Sequence, residues 1–225
     1  MDIDTLLLEA ASTGNTDAVA SFLSAGGTVN CRDVEGNTAL ALAAKYGHHE
    51  TVLFLLTIGY CFKNPKNLLG DTPLFLAIRG SHDHIVLALL ENGASVLDQN
   101  ENGETPLHVA TEIKDGAIVR LLLSYGGDPN IRNTKGLTPL HLAVQLKVVD
   151  IVQLLIIGGA AVNEETGDGR NKTPLDLCVI ETGVEVKSII MLLLSRGAYV
   201  TEDSISDCVD HDIRRMLMDI ALVEK

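Results

Sequence analysis

The triplet Thr-Pro-Leu recurs at Thr72-Pro73-Leu74, Thr105-Pro106-Leu107, Thr138-Pro139-Leu140 and Thr173-Pro174-Leu175, at a spacing of roughly 33 residues. A fifth copy reads Thr38-Ala39-Leu40, and a worn first copy reads Thr5-Leu6-Leu7. About twenty residues after each copy comes a run rich in Leu or Ile, and then a glycine: Gly26, Gly59, Gly93, Gly126, Gly159 and Gly197. A unit this short cannot bury its own apolar side chains. Copies of it must stack, so that each covers the next.

The unit reads as helix, turn, helix, glycine, tight turn. Thr38, Thr72, Thr105, Thr138 and Thr173 are placed to cap a helix, because a hydroxyl accepts from the free N–H groups of a first turn. Proline follows in four of them, where its missing N–H costs nothing. Leu140, Ala143 and Val144 then have helical spacing, and the small alanine allows close helix approach. The second helix carries Ile85, Val86, Leu89 and Leu90, or Ile118, Val119, Leu122 and Leu123, again at three-and-four spacing. The trailing glycines are expected to end it with positive φ. Gly36, Gly70, Gly103 and Gly136 mark the following turns. Asn171 stands at that place in the last repeat, being the next best residue for positive φ.

Composition agrees with thin helical layers. The chain is 46% hydrophobic but only 4% aromatic, with no Trp and a mean hydropathy of +0.23. Its core must be built from Leu, Ile, Val and Ala. A net charge of −13 repels phosphate backbones and the anionic membrane leaflet, so neither nucleic acid nor membrane is expected as a partner. Cys31, Cys61, Cys178 and Cys208 form no zinc spacing and suit a reducing compartment. The N-terminus lacks a basic region of the signal-peptide kind. The chain is expected to be cytoplasmic, with the nucleus open to it, and monomeric.

The segment Gly103-Glu104-Thr105-Pro106-Leu107-His108-Val109-Ala110 resembles the G-x-T-P-L-H-x-A signature of the ankyrin repeat family, and Gly136 to Ala143 does so equally. The resemblance covers almost the whole chain. It implies an all-α repeat solenoid of antiparallel helix pairs with projecting β-hairpin loops. Repeats are expected at about 1–32, 33–66, 67–99, 100–132, 133–167 and 168–203, with a C-terminal cap at 204–225, in one domain spanning 1–225. In the cap, Ile205, Val209, Ile213, Met216 and Leu217 are expected to cover the open end of the core. Asp207, Asp210, Asp212, Arg214 and Arg215 are expected to face water. Both ends read as caps, which suggests a self-contained protein or domain.

Several positions depart from the family pattern. A Gly-His pair usually separates the two helices, as Gly47-His48 does here. The third repeat has Ser81-His82, and later repeats have Lys114 and Lys147 at the glycine place. A non-glycine residue in left-handed geometry costs about 1–2 kcal/mol. The sixth repeat inserts Thr182-Gly183-Val184 between its helices.

Enzyme chemistry is not written in the chain. There is no phosphate-binding glycine loop, nucleophile elbow or calcium loop, so the protein reads as non-catalytic, without metal or cofactor. His108 and His141 are expected to bond the capping threonines. Cys178 reads as core and Cys61 as the exposed thiol. The sequon Asn171-Lys172-Thr173 is better explained by Thr173 as a helix cap. The family also implies that Asn130 and Asn163, each with a leucine eight residues before (Leu122 and Leu155), could be substrates of asparaginyl hydroxylases. The favoured alternative is that these asparagines stabilise the loops.

The resemblance implies a protein partner, docked on the concave face formed by turn tips and first helices. Mapped onto this sequence, the candidate contacts are Tyr46, Leu68, Leu69, Arg79, Ile113, Lys135, Leu137 and Leu146. Leu68, Leu69 and Leu137 lead, because an apolar residue at a turn tip has no core to fill. The expected function is that of an adaptor, scaffold or inhibitor. The alternatives are a regulatory domain of a larger enzyme or channel, or a secreted effector acting on host proteins.

Overall fold

A computed structural model of the chain describes residues 2–223. Those residues form fourteen α-helices and no strand, an all-α repeat solenoid. The helices come in pairs: α1 (Ile3–Ser12) with α2 (Thr16–Ser24), α3 (Ala39–Lys45) with α4 (His49–Thr57), α5 (Pro73–Arg79) with α6 (Asp83–Glu91), and α7 (Pro106–Glu112) with α8 (Gly116–Ser124). Then follow α9 (Pro139–Gln145) with α10 (Val149–Ile157), α11 (Pro174–Val179) with α12 (Val184–Ser195), and α13 (Glu202–Ser206) with α14 (His211–Val223). Two compact units are distinguished, one ending at Gly127 and the other beginning at Asp128.

In the first unit α1, α3, α5 and α7 pack side by side as one row, and α2, α4, α6 and α8 form a second row behind them. The first helix of each pair is buried along most of its length, so its residues are small or aliphatic. Ala43, Ala77 and Ala110, each five residues after the capping threonine, are fully buried where neighbouring first helices approach. Leu40, Leu74 and Leu107 fill the space between rows, and Val52, Val86 and Val119 close it from the second helices. Each Leu contributes about 1.5–3 kcal/mol by leaving water. In the second unit α9 packs on α11 and α11 on α13, with α10 against α12. Ala143, Leu140 and Leu175 repeat the same roles there.

The helix starts follow the threonine rule with one exception. Thr38, Thr138 and Thr173 accept from the N–H groups of Ala41, His141 and Asp176 at 3.2–3.4 Å. His108 and His141 return the bond as expected: each Nδ1 accepts the N–H of its threonine (3.1 and 3.2 Å) and lies 2.8 Å from its hydroxyl. Thr72 has the same extended backbone, but its hydroxyl caps nothing. It is buried without a hydrogen-bond partner. Phe75 stands three residues on, where a histidine or aspartate would otherwise meet it.

A second set of bonds joins successive repeats just before the turns, with one exception. The side chain of Asn30 donates to Tyr60 O (2.8 Å) and accepts from Phe62 N–H (2.9 Å). Asn64 bonds Gly93 and Ser95 in the same way, Asn130 bonds Gly159 and Ala161, and Asn163 bonds Gly197 and Tyr199. The equivalent residue of the third repeat is Leu97, half of whose surface is exposed and whose side chain can make neither bond.

Some expectations require correction. Gly26, Gly93, Gly126, Gly159 and Gly197 take positive φ, but Gly59 does not. There β-branched Ile58 leaves α4 with extended backbone, and the chain turns through a bond from Cys61 N–H to Ile58 O. Ser81, Lys114, Lys147 and Asn171 do occupy left-handed geometry. The seventh helix pair starts at its cap Thr201, so a boundary at 203/204 falls inside α13. Ile213 and Leu217 are buried, and Ile205 and Met216 are half-buried, but Val209 is exposed. Its backbone is what anchors it, through N–H to Val179 O (3.1 Å). Arg214 is half-buried rather than facing water, because its guanidinium donates to the carbonyl of Cys208.

The threonine exception gives a paired prediction. Thr138→Val removes a working cap and should lower stability by about 0.5–2 kcal/mol. Thr72→Val removes an unpaired buried hydroxyl, so stability should be unchanged or raised. Thermal unfolding followed by circular dichroism checks both. Equal losses would show that the Thr72 hydroxyl is paired after all.

Candidate functional site

The projecting loops are not hairpins with strand ladders. The first four are tight turns, each organised by one side chain at its base. Asp33 Oδ1 accepts from the N–H groups of Glu35 and Asn37 (2.9 and 2.8 Å). Asn67 does the same for Leu69 and Asp71, Asn100 for Asn102 and Glu104, and Asn133 for Lys135 and Leu137. A backbone bond closes each turn, for example Asn67 N–H to Asp71 O at 3.0 Å. The glycine three residues after the base is required twice over at Gly70. Its φ is +75°, and a Cβ there would lie 2.7 Å from Glu101 N.

Neighbouring turns are tied directly. Leu68 N–H donates to Glu35 O (2.9 Å), and Glu101 N–H donates to Leu69 O (3.0 Å). Asn67 Nδ2 donates to Asn37 Oδ1 (2.9 Å), and Asn100 Nδ2 to Asp71 Oδ1 (3.1 Å). In the second unit Gly167 N–H donates to Gly136 O (3.0 Å). The turns are therefore held by their main chains and bases, and the side chains of Val34, Leu68 and Leu69 stand exposed on them.

Leu68 and Leu69 show this most clearly, at 72% and 67% exposed, and Val34 on the preceding turn is 94% exposed. Tyr46, the last residue of α3's turn, is about half exposed, with Lys45 Nζ 5.5 Å from its ring centre. Arg79 is exposed but engaged: its guanidinium meets Asp71 (3.3 Å) and Glu104 (3.5 Å), beneath the third and fourth turns. Ile113 caps the end of α7 and is half-buried. In the second unit Lys135 is an exposed tip residue. Leu137 lies at the base of its turn, half-buried, and Leu146 is half-buried at the end of α9. The structure thus brings Tyr46, Leu68, Leu69, Arg79 and Ile113 into one unit, and Lys135, Leu137 and Leu146 into the other.

Sequence reasoning missed the turn bases Asp33, Asn67, Asn100 and Asn133. Their signal was available, an Asp or Asn three residues before each turn glycine. Asn130 and Asn163 act as the inter-repeat bridges described above, so both ends of each amide are occupied.

The remaining reactive groups are quiet. Cys61 is buried rather than exposed, and desolvation pushes its thiol up to about 11. Cys178 is buried in the core and pushed up to about 12, also by desolvation. Cys31 is half-buried at about 11, through desolvation and the nearby Asp4. Among the described residues, no three His, Cys, Asp or Glu side chains gather as a metal site. No helix among them is long and apolar enough to cross a membrane.

Comparison with known proteins gives matches to one family model, described as ankyrin repeats, in three copies over residues 2–67, 58–133 and 112–204. An ankyrin repeat protein of Fowlpox virus (strain NVSL) is 36% identical over 104 residues, covering 39% of this chain and 20% of the viral protein. The ankyrin repeat and KH domain-containing protein mask-1 of Caenorhabditis elegans is 37% identical over 92 residues, covering 40% of this chain and 4% of that protein. The matched segments are thus small parts of both relatives.

His141 supplies a pH prediction. Burial lowers its pKa below the ordinary 6.5, and its Nε2 lies 2.9 Å from the carbonyl of Glu164. With Nδ1 accepting from Thr138, the folded ring is neutral and Nε2–H donates. On acidification the unfolded chain binds this proton first. The contribution is therefore complete above pH about 6.5 and is lost as pH falls from there towards the lower folded value. Denaturant midpoints measured from pH 7.5 to 5 should fall, and His141→Gln should flatten that slope. An unchanged slope would mean that the ring is not the titrating group.

Proposed function

The chain belongs to the ankyrin repeat family, and we propose that it is a protein-interaction module, an adaptor, scaffold or inhibitor, that docks its partner on turn tips and first helices. Ankyrin repeats are generally protein–protein interaction modules. The observation that carries the choice of face is the state of the tips. Val34, Leu68 and Leu69 are large apolar side chains, well exposed, on turns whose backbones are already fixed by Asp33, Asn67 and the bonds between turns.

The backbone beneath such side chains needs no further ordering on binding, because the turns are pre-set. Tyr46 adds an aromatic surface of the kind that dominates interface energetics. Arg79 supports the platform by holding Asp71 and Glu104. Ile113 and, in the second unit, Lys135, Leu137 and Leu146 extend the same set of positions along the repeats. The protein would act as a monomer, in the cytoplasm or nucleus, without catalysis, metal or cofactor.

The test is a paired capture from source-cell lysate, read by mass spectrometry. The baits are the wild-type chain and a variant carrying Leu68→Ser and Leu69→Ser. Both positions are exposed, so circular dichroism should show an unchanged fold. Proteins lost only from the variant are expected. Identical catches would remove the tips from the interface.

A further inference from the structure

A groove of about 550 Å³ opens between α1, α3 and the first turn. Its apolar walls are Leu8, Leu42, Val34 and Tyr46. Leu8 and Leu42 are nearly buried and form a fixed floor, while Val34 and Tyr46 stand above it as exposed edges. The groove belongs wholly to the first unit.

The charge around it is one-sided. Glu9 and Asp33 lie in the lining. Glu9 is exposed and makes no ion pair among the described residues. Residues 1–32 hold four acidic side chains, Asp2, Asp4, Glu9 and Asp17, against the single base Arg32. Arg32 also lines the groove, and its Nη1 is held by the scaffold, donating to Gly36 O (2.7 Å) and Lys66 O (2.6 Å). Lys45, beside Tyr46 in the chain, is paired with Glu35 at 3.3 Å. The lining therefore carries two carboxylates against one guanidinium, and Glu9 is exposed at its edge.

We infer that this groove takes a basic segment of a partner protein, an arginine or lysine with an apolar side chain one or two residues away. The apolar side chain lies on Leu8 and Leu42 beneath Val34, and the cation meets Glu9 at the rim. Acidic peptides are disfavoured, because the carboxylates of Glu9 and Asp33 outnumber the one guanidinium of the lining. The inference rests on the proposed docking of protein at tips and first helices, and specifies the chemistry at one end of it.

The test pans a phage-displayed library of random twelve-residue peptides against the full-length chain, then measures the selected sequences as free peptides by fluorescence anisotropy. Three single-site or paired variants are compared: Glu9→Arg, Val34→Ser, and Leu68→Ser with Leu69→Ser. All four residues are exposed, so folding should be kept. The expected result is enrichment of Arg or Lys beside Leu, Met or Phe, with affinity weakened about ten-fold or more by Glu9→Arg and also reduced by Val34→Ser. Binding should also weaken as salt is raised. Enrichment of acidic peptides, or of peptides indifferent to Glu9→Arg, overturns the inference. If such peptides instead respond to the Leu68 and Leu69 changes, docking on the tips survives without the basic groove. No enrichment at all also overturns it, and leaves tip docking to be judged by the lysate capture.

Discussion

Everything in this molecule depends on the fact that one pair of short helices cannot bury its own apolar side chains. The first helices are seven residues long in α3, α5, α7 and α9, which is two turns. Isolated helices of that length are unstable in water. They persist because neighbours on both sides take their surface out of solvent, with Ala43, Ala77 and Ala110 allowing close approach. The same requirement keeps the aromatic content low, since large rings would push the layers apart. Phe75, wholly buried in α5, is the exception, and it stands where Thr72 has lost its partner.

Stacking alone would let repeats slide. Two rows of polar bonds prevent this, both in the segments that lead from each second helix to the next first helix. In the turns, the bases fix the tips, and bonds tie neighbouring turns within each unit. Just before the turns, Asn30, Asn64, Asn130 and Asn163 bridge successive repeats, and Leu97 leaves that bridge out once. The terminal pair is held by a different device. Buried Asp176 accepts from the hydroxyls of Thr201 and Ser204 and from Thr173 N–H, so one carboxylate joins the last full repeat to α13. Lys172 reaches Asp203 and Asp207 across the same junction. The proposed function rests on a division of labour: the main chain and the bases hold the shape, and Val34, Leu68 and Leu69 stand exposed at the tips.

Much of this was legible in the residues. Helix starts, the capping histidines and the left-handed Ser81, Lys114, Lys147 and Asn171 follow from local chemistry, which sequence records directly. What escaped were consequences of distance and context. The helix end at Gly59 was misread because Ile58 changes the exit path one residue earlier. Cys61 was read as a loop thiol, yet its loop folds back enough to bury it. Leu137 looks like a tip residue by alignment with the turn, but it sits at the base and closes it. Thr72 matches the capping triplet and still fails to cap, since the partner three residues on decides whether the hydroxyl is used. The Asp and Asn turn bases were visible at a fixed offset and needed the geometry to show their purpose.

The most direct test of the central claim, that tips and first helices bind while second helices support, is hydrogen–deuterium exchange of the full chain with and without a captured partner. The account predicts new protection at the turns around 33–37 and 67–71 and along α1 and α3, with α2, α4 and α6 unchanged. Protection concentrated on α2, α4 and α6, with exchange at the turns untouched, would contradict it.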